Sequence, residues 1–181
     1  MDGPYYVDTR TPHMSADAAA ITIIATNVAL VPLANLPILG SNYFSYIGKA
    51  VRIRMFGRIT TVATPGTITM NFLWGSGANA NGTNIGASAA FTPVASQTNL
   101  SWWAEIVVRC RALGASGSLL TTGILKFNES VVVTTQLIPA SAPAPVTVDL
   151  TAANVISPQV LATTAVTNTM QVHDFNFESL N

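Results

Sequence analysis

What this chain has least of is charge. Its 181 residues hold 8 Lys and Arg and 8 Asp and Glu, 9% of the total, where an ordinary soluble domain carries about 25%. Disorder does not explain the shortfall, because 49% of the residues are hydrophobic and such a chain collapses. A membrane span does not explain it either. The longest apolar stretch, 28–39, is broken by Pro32, Asn35 and Pro37, short of the ~20 residues a bilayer demands. The one cysteine, Cys110, excludes an internal disulfide and a multi-cysteine metal site. A net charge of zero argues against nucleic acid as a partner held by bulk electrostatics. No basic segment followed by an apolar one opens the chain, so no secretory signal is read and synthesis in a cytoplasm is expected.

Scarce charge leaves two readings of the surface. A folded monomer of this size exposes about 8,400 Å², so its charges would stand about one per 500 Å². Either other subunits cover much of that surface, which is the leading expectation, or small Ser, Thr, Asn and Ala residues keep it soluble.

Helix signals are also missing: no segment joins capping residues to an apolar stripe of period 3.6, and no repeat recurs at a fixed period. What is present is a period of two. In 49–60, Val51, Ile53, Met55, Gly57 and Ile59 share one face while Arg52, Arg54, Phe56 and Arg58 share the other, the pattern of a half-buried strand. After a turn at 64–66, Ile68, Met70, Phe72 and Trp74 alternate with Thr67, Thr69, Asn71 and Leu73 as a second such strand. In 99–113, Leu100, Trp102, Ala104, Ile106, Val108 and Cys110 face inward, and Trp103, Glu105, Val107, Arg109 and Arg111 face out. A hairpin loop at 114–117 leads to a strand over 119–127, and 131–137, 146–150, 158–166 and 168–180 read as further strands, the last two joined by a tight turn at Asn168. Residues 75–88 carry four Gly and three Asn in fourteen positions and read as a surface loop. About eight strands in one domain predict an all-β sandwich or barrel. Residues 1–26, with Pro4, Pro12 and the paired Tyr5 and Tyr6, read as an extended N-terminal arm ahead of a β domain at 27–181. The arm is either a frayed terminus or a segment that docks through Tyr5, Tyr6 and Val7 on a neighbour.

Little here supports catalysis. Of the two histidines, His13 lies in the arm; His173 has no nucleophile elbow to serve, and its neighbour Asp174 should point to the other strand face. The acids are too scattered for a metal site or a built carboxylate pair. Cys110 falls on an apolar face, where a thiol acts as a small hydrophobe. Gly75, Gly77, Gly82 and Gly86 form no phosphate cradle, since no Lys and no helix follows them. The expectation is therefore a protein that is not an enzyme, with no cofactor and no metal.

The informative asymmetry is in how the charges are placed. Seven bases and one acid, Glu105, lie between Lys49 and Asn128, for a net +6, and the rest of the chain is −6. Arginines at alternate strand positions repel unless acids stand opposite, and Arg is suited to desolvated pairing at interfaces. Arg52, Arg54, Arg58, Arg109 and Arg111 are therefore expected to meet carboxylates such as Asp149, Asp174 and Glu178, within the sheet or across a subunit contact. A face that grips nucleic acid is a third reading. For Trp103 the alternatives are burial against the 75–88 loop and a subunit contact.

The run GKAVRIRMFGRITT, the turn TPGT, the strand TITMNFLW, the Gly-Ala-Asn loop, the segment NLSWWAEIVVRCRALGASGSLLTTGILKF and the closing NTMQVHDFNFESLN together resemble small single-domain virion proteins of tailed bacteriophages. These are jelly-roll structural proteins, found as head decoration or cement subunits and as tail or fibre knobs. The likeness spans about Lys49–Asn181 and leaves out the arm. It implies a jelly-roll β-sandwich, a homotrimer or other symmetric unit, and a major capsid protein as partner on the outer surface of the virion, with no membrane involved and no catalytic residue. The alternative is a tail or fibre knob that binds a host receptor. The contact residues expected are Tyr5, Tyr6, Val7, Arg52, Arg54, Arg58, Trp103, Arg109 and Arg111.

Overall fold

A computed structural model describes residues 14, 16–76, 82–129, 132–164 and 166–180. Tyr5, Tyr6 and Val7, and with them most of the expected arm, lie outside the described residues. Two antiparallel sheets face each other across one core, a β-sandwich. The strands, in chain order, are β1 (Ile21–Thr22), β2 (Val28–Ala29), β3 (Ala50–Thr60), β4 (Ile68–Gly75), β5 (Thr83–Ala87), β6 (Leu100–Ala112), β7 (Gly117–Glu129), β8 (Val132–Ile138), β9 (Val146–Val148), β10 (Val155–Ala162) and β11 (Thr169–Ser179). Among the described residues there are thus eight strands of five residues or more and three shorter ones. Among the described residues no helix is long and apolar enough to cross a membrane.

The large sheet runs β1-β11-β3-β6-β7-β8, with β9 also on β7, and the small sheet runs β2-β10-β4-β5. The alternation in β3 and β6 has its expected outcome: Val51, Ile53, Met55 and Ile59, with Trp102, Ala104, Ile106 and Val108, are buried in the core. Period two puts these side chains on the face turned to the small sheet, where Ile68, Met70, Phe72 and Trp74 of β4 meet them. Phe127 lies between Phe91 and Trp102, with ring centroids 4.6 and 6.5 Å away and the rings tilted by 43° and 33°, contacts that add to area burial.

Gly57 has a specific reason to be glycine. A Cβ there would stand 2.0 Å from the Gln171 carbonyl oxygen and 2.8 Å from the Trp102 indole nitrogen. The pairing of β11 with β3 slips at the same place, between Val172 and Asp174. The bulge adds one residue, His173, so that Val172 before it and Phe175 after it both reach the core.

Four expectations need correction. β4 is not half-buried: its second face, with Asn71 and Leu73, is buried as well. That face is covered in part by an amide network in which Asn71 donates to Asn27 Oδ1 at 2.8 Å and accepts from Asn84 Nδ2 at 3.3 Å. Residues 75–88 are not all loop, because 83–87 return as β5 along β4. A glycine-rich stretch can be a strand when the backbone comes close to a facing layer: a Cβ on Gly86 would meet Thr121 Cγ2 at 2.8 Å.

The connection at Asn168 is not a tight hairpin. It passes from the small sheet to the large one, and its geometry is held by Asn168, whose amide donates to Pro65 O at 2.5 Å and accepts from Val62 N at 3.0 Å. Finally, the described part of the arm does not stand apart from the domain. Ala18 N donates to Val172 O at 2.9 Å, Ile21 and Thr22 pair with Met170 and Thr169, and Ile23 is fully buried.

Candidate interaction face on the large sheet

The outer face of the large sheet collects most of the residues singled out above. Strand register builds it row by row. Asp174, Phe56, Trp103, Lys126 and Thr135 form one row across β11, β3, β6, β7 and β8. Beside it lies Asn176, Arg54, Glu105, Ile124 and Leu137, and then Glu178, Arg52, Val107 and Thr122.

Register also decides which arginines find acids. Arg54 Nε donates to Glu105 Oε2 at 2.7 Å, directly across β3 and β6. Arg52 Nη1 meets Glu178 Oε2 at 3.3 Å across β3 and β11. Arg58 meets no acid among the described residues but donates from Nε to Gln171 Oε1 at 2.8 Å. Arg109 and Arg111 are exposed and make no ion pair among the described residues.

Two of the expected acids are engaged elsewhere or stand free. Asp149 accepts the Thr151 hydroxyl at 2.6 Å and the Thr151 amide at 2.8 Å. Those two donors hold its carboxyl below the usual carboxylate range. Asp174 is exposed opposite Phe56 and forms no ion pair among the described residues. His173, the bulge residue, pairs through Nδ1 with Asp17 Oδ2 at 2.8 Å.

Trp103 is half-buried on this outer face, with Lys126 Nζ 5.8 Å from its ring centroid. Of its expected cover, the 75–88 segment, the described strand residues Gly75 and 83–87 belong to the small sheet on the other side of the core. Three exposed apolar side chains on this face escaped sequence reasoning as contact candidates: Phe56 at 47% exposure, Val133 at 55% and Leu137 at 65%. The signal was present for Phe56, which falls in phase with the arginines of β3. For Val133 and Leu137 only the pairing of β8 with β7 shows which face is open.

Among the described residues no three His, Cys, Asp or Glu side chains come together as they would around a metal ion. Burial pushes the Cys110 thiol up, and its Sγ donates to Ala112 O at 3.4 Å. A shallow pocket of about 180 Å³ opens beside Arg58, lined also by Thr60, Asn99, Thr169 and Gln171. That is space for one side chain of a partner, below the ~300 Å³ at which small-molecule sites begin. Compared with known protein families and with curated proteins, the sequence matches none.

Proposed function

We propose that this chain is a structural protein of a tailed-bacteriophage virion. It is a jelly-roll head decoration, or cement, subunit that self-associates, as a trimer in the proteins it resembles, and bridges major capsid protein subunits on the outer surface of the capsid. The nested pairing of the long strands supports the jelly-roll topology: β3, the first, pairs with β11, the last, in one sheet, and β4 pairs with β10 in the other. The observation that carries the functional reading is the outer face of the large sheet. There Arg109 and Arg111 stand without acids among the described residues, at the end of β6 past Val107, while Ile124, Phe56 and Trp103 lie further along the same face. Unspent guanidinium groups beside apolar side chains are the composition of a protein–protein contact.

The mechanism is mechanical. Pressure from packaged genome pulls capsomers apart, and a rigid β module straddling their junction adds interface area that must break before the lattice opens. A specific contact buries on the order of 1,200–2,000 Å². Repetition over many copies lets each contact be modest.

Co-sedimentation with purified capsids tests the reading: stoichiometric capture is expected, and Arg109→Glu with Arg111→Glu lowers it by tenfold or more (about 1.4 kcal/mol or more) while the variant stays folded. No capture by capsids, together with binding to host cells, replaces decoration by the tail-knob alternative. Turnover of an ester or glycoside that is lost in His173→Ala overturns both.

A further inference from the structure

We infer that β8 is a pairing edge through which two copies of this chain join antiparallel, β8 to β8, into one continuous sheet. An edge strand presents a row of free N–H and C=O groups, and proteins blunt such rows with short strands, charges, prolines or bulges. The other edges here are blunted. β1 and β2 are two residues long, β9 is three, β5 slips in register against β4 between Phe72 and Leu73, and β11 where it runs past β1 carries a bulge at His173 and the charges of Asp174 and Glu178. β8 is the exception. It runs seven residues in unbroken register with β7, and Val132–Ile138 contains no charge, no proline and no glycine. Among the described residues nothing hydrogen-bonds to its outer edge between 133 and 137.

The sequence of β8 makes a second copy the fitting occupant. A two-fold axis at Thr135 sets Val133 of each copy opposite Leu137 of the other, and Thr134 opposite Gln136. The two apolar side chains most exposed on this edge, at 55% and 65%, then cover one another, and Leu137 continues inward to Ile124 on β7. Electrostatics agrees. An uncharged strand meets its copy with no like charges in register. The nearest cation on that face, Lys126 beside Thr135, lies three strand spacings from its counterpart, about 14 Å, beyond the ~8 Å screening length of physiological salt. A single seven-residue edge is a small contact, so the association is weak and depends on concentration. The inference rests on this chain alone. A two-fold contact is separate from any three-fold unit and from binding to capsids.

The test is sedimentation of the full chain over a wide concentration range in three forms: wild type, Val133→Lys with Leu137→Lys, and Val133→Lys with Leu137→Glu. Within one copy the two positions are both exposed and four residues apart, so either pair of changes disturbs the fold equally, which thermal unfolding checks. Across the two-fold axis they differ. The first pair sets like charges opposite each other twice and is expected to weaken association by about tenfold or more. The second sets opposite charges together twice and is expected to restore it. Three results overturn the inference: a wild type that stays monomeric throughout, a lysine pair that associates like wild type, or a lysine–glutamate pair that associates no better than the lysine pair.

Discussion

Arg54 and Glu105 stand directly opposite each other on β3 and β6, guanidinium Nε to carboxylate oxygen 2.7 Å, on a face open to solvent. Their side chains are 45% and 31% exposed, so water and salt screen the attraction. A double-mutant cycle with Arg54→Met and Glu105→Gln is expected to give a coupling of only ~0.2–1 kcal/mol in urea unfolding, smaller at high salt. The pair contributes more by neutralising Arg54 than by stability, so that Arg58, Arg109, Arg111 and Lys126 are the positive charges of the face without an ion pair among the described residues. A coupling above ~2 kcal/mol would show that something covers the pair in solution.

Gly57 sits where three strands meet, and a methyl group there would overlap Gln171 O and the Trp102 ring. Since both obstacles lie in paired strands, neither can retreat cheaply. Gly57→Ala is expected to cost about 3 kcal/mol or more, read as a drop in denaturation midpoint. Gly40→Ala is the control: nothing lies within 4 Å of a Cβ there, and its effect should stay within ~0.5 kcal/mol.

The start of the chain divides at a definite place. Ile23 is fully buried and Ile21–Thr22 extends the large sheet, so removal of residues 1–26 takes away core as well as arm. Burying one Ile contributes ~1.5–3 kcal/mol, and that loss should appear in urea unfolding of the 1–26 deletion. A deletion ending at residue 13 leaves Ile23 and β1 in place, and it is the form in which to measure capsid capture. Equal stability of the two deletions would contradict the packing described.

Asp149 gives the fold an acid-sensitive turn. The Thr151 hydroxyl, then the Thr151 amide, donates to its carboxylate and lowers its pKa from the ordinary 3.8. A carboxyl depressed in the folded state contributes stability that is complete above the unfolded value and is lost as pH falls through the folded one. In Thr151→Val, carboxyl resonances titrated by NMR should show Asp149 moving back up, and the change in stability between pH 5 and pH 2 should shrink. An unmoved titration would show that the hydroxyl is not the cause.

How far the fold was legible follows from which forces act locally. β3 and β6 were readable to the residue, because each is covered on one face only and period two then writes itself into hydrophobicity. β4 misled, because its outer face is buried by polar groups: Asn71, paired with Asn27 and Asn84, looks solvent-facing in the sequence. β5 was hidden in a stretch rich in Gly and Asn, where local preference speaks for a turn. Of the acids expected opposite arginines, Glu178 reaches Arg52, since both strand positions and register favour it. Asp149 does not reach one, because its own neighbour Thr151 supplies donors at a shorter chain distance.

By itself the sequence determined that this chain is built of strands, which side chains of β3 and β6 point inward, and that positive charge gathers between Lys49 and Lys126. Those properties depend on each residue's chemistry and on its immediate neighbours. Only the tertiary structure decided which strands lie side by side, and with that which arginines are neutralised, which face stays apolar and open, and which edge is left unpaired. Such properties arise between residues 50 to 130 positions apart, as with Arg54 and Glu105 or Arg52 and Glu178. Register across strands has no signature within either strand alone.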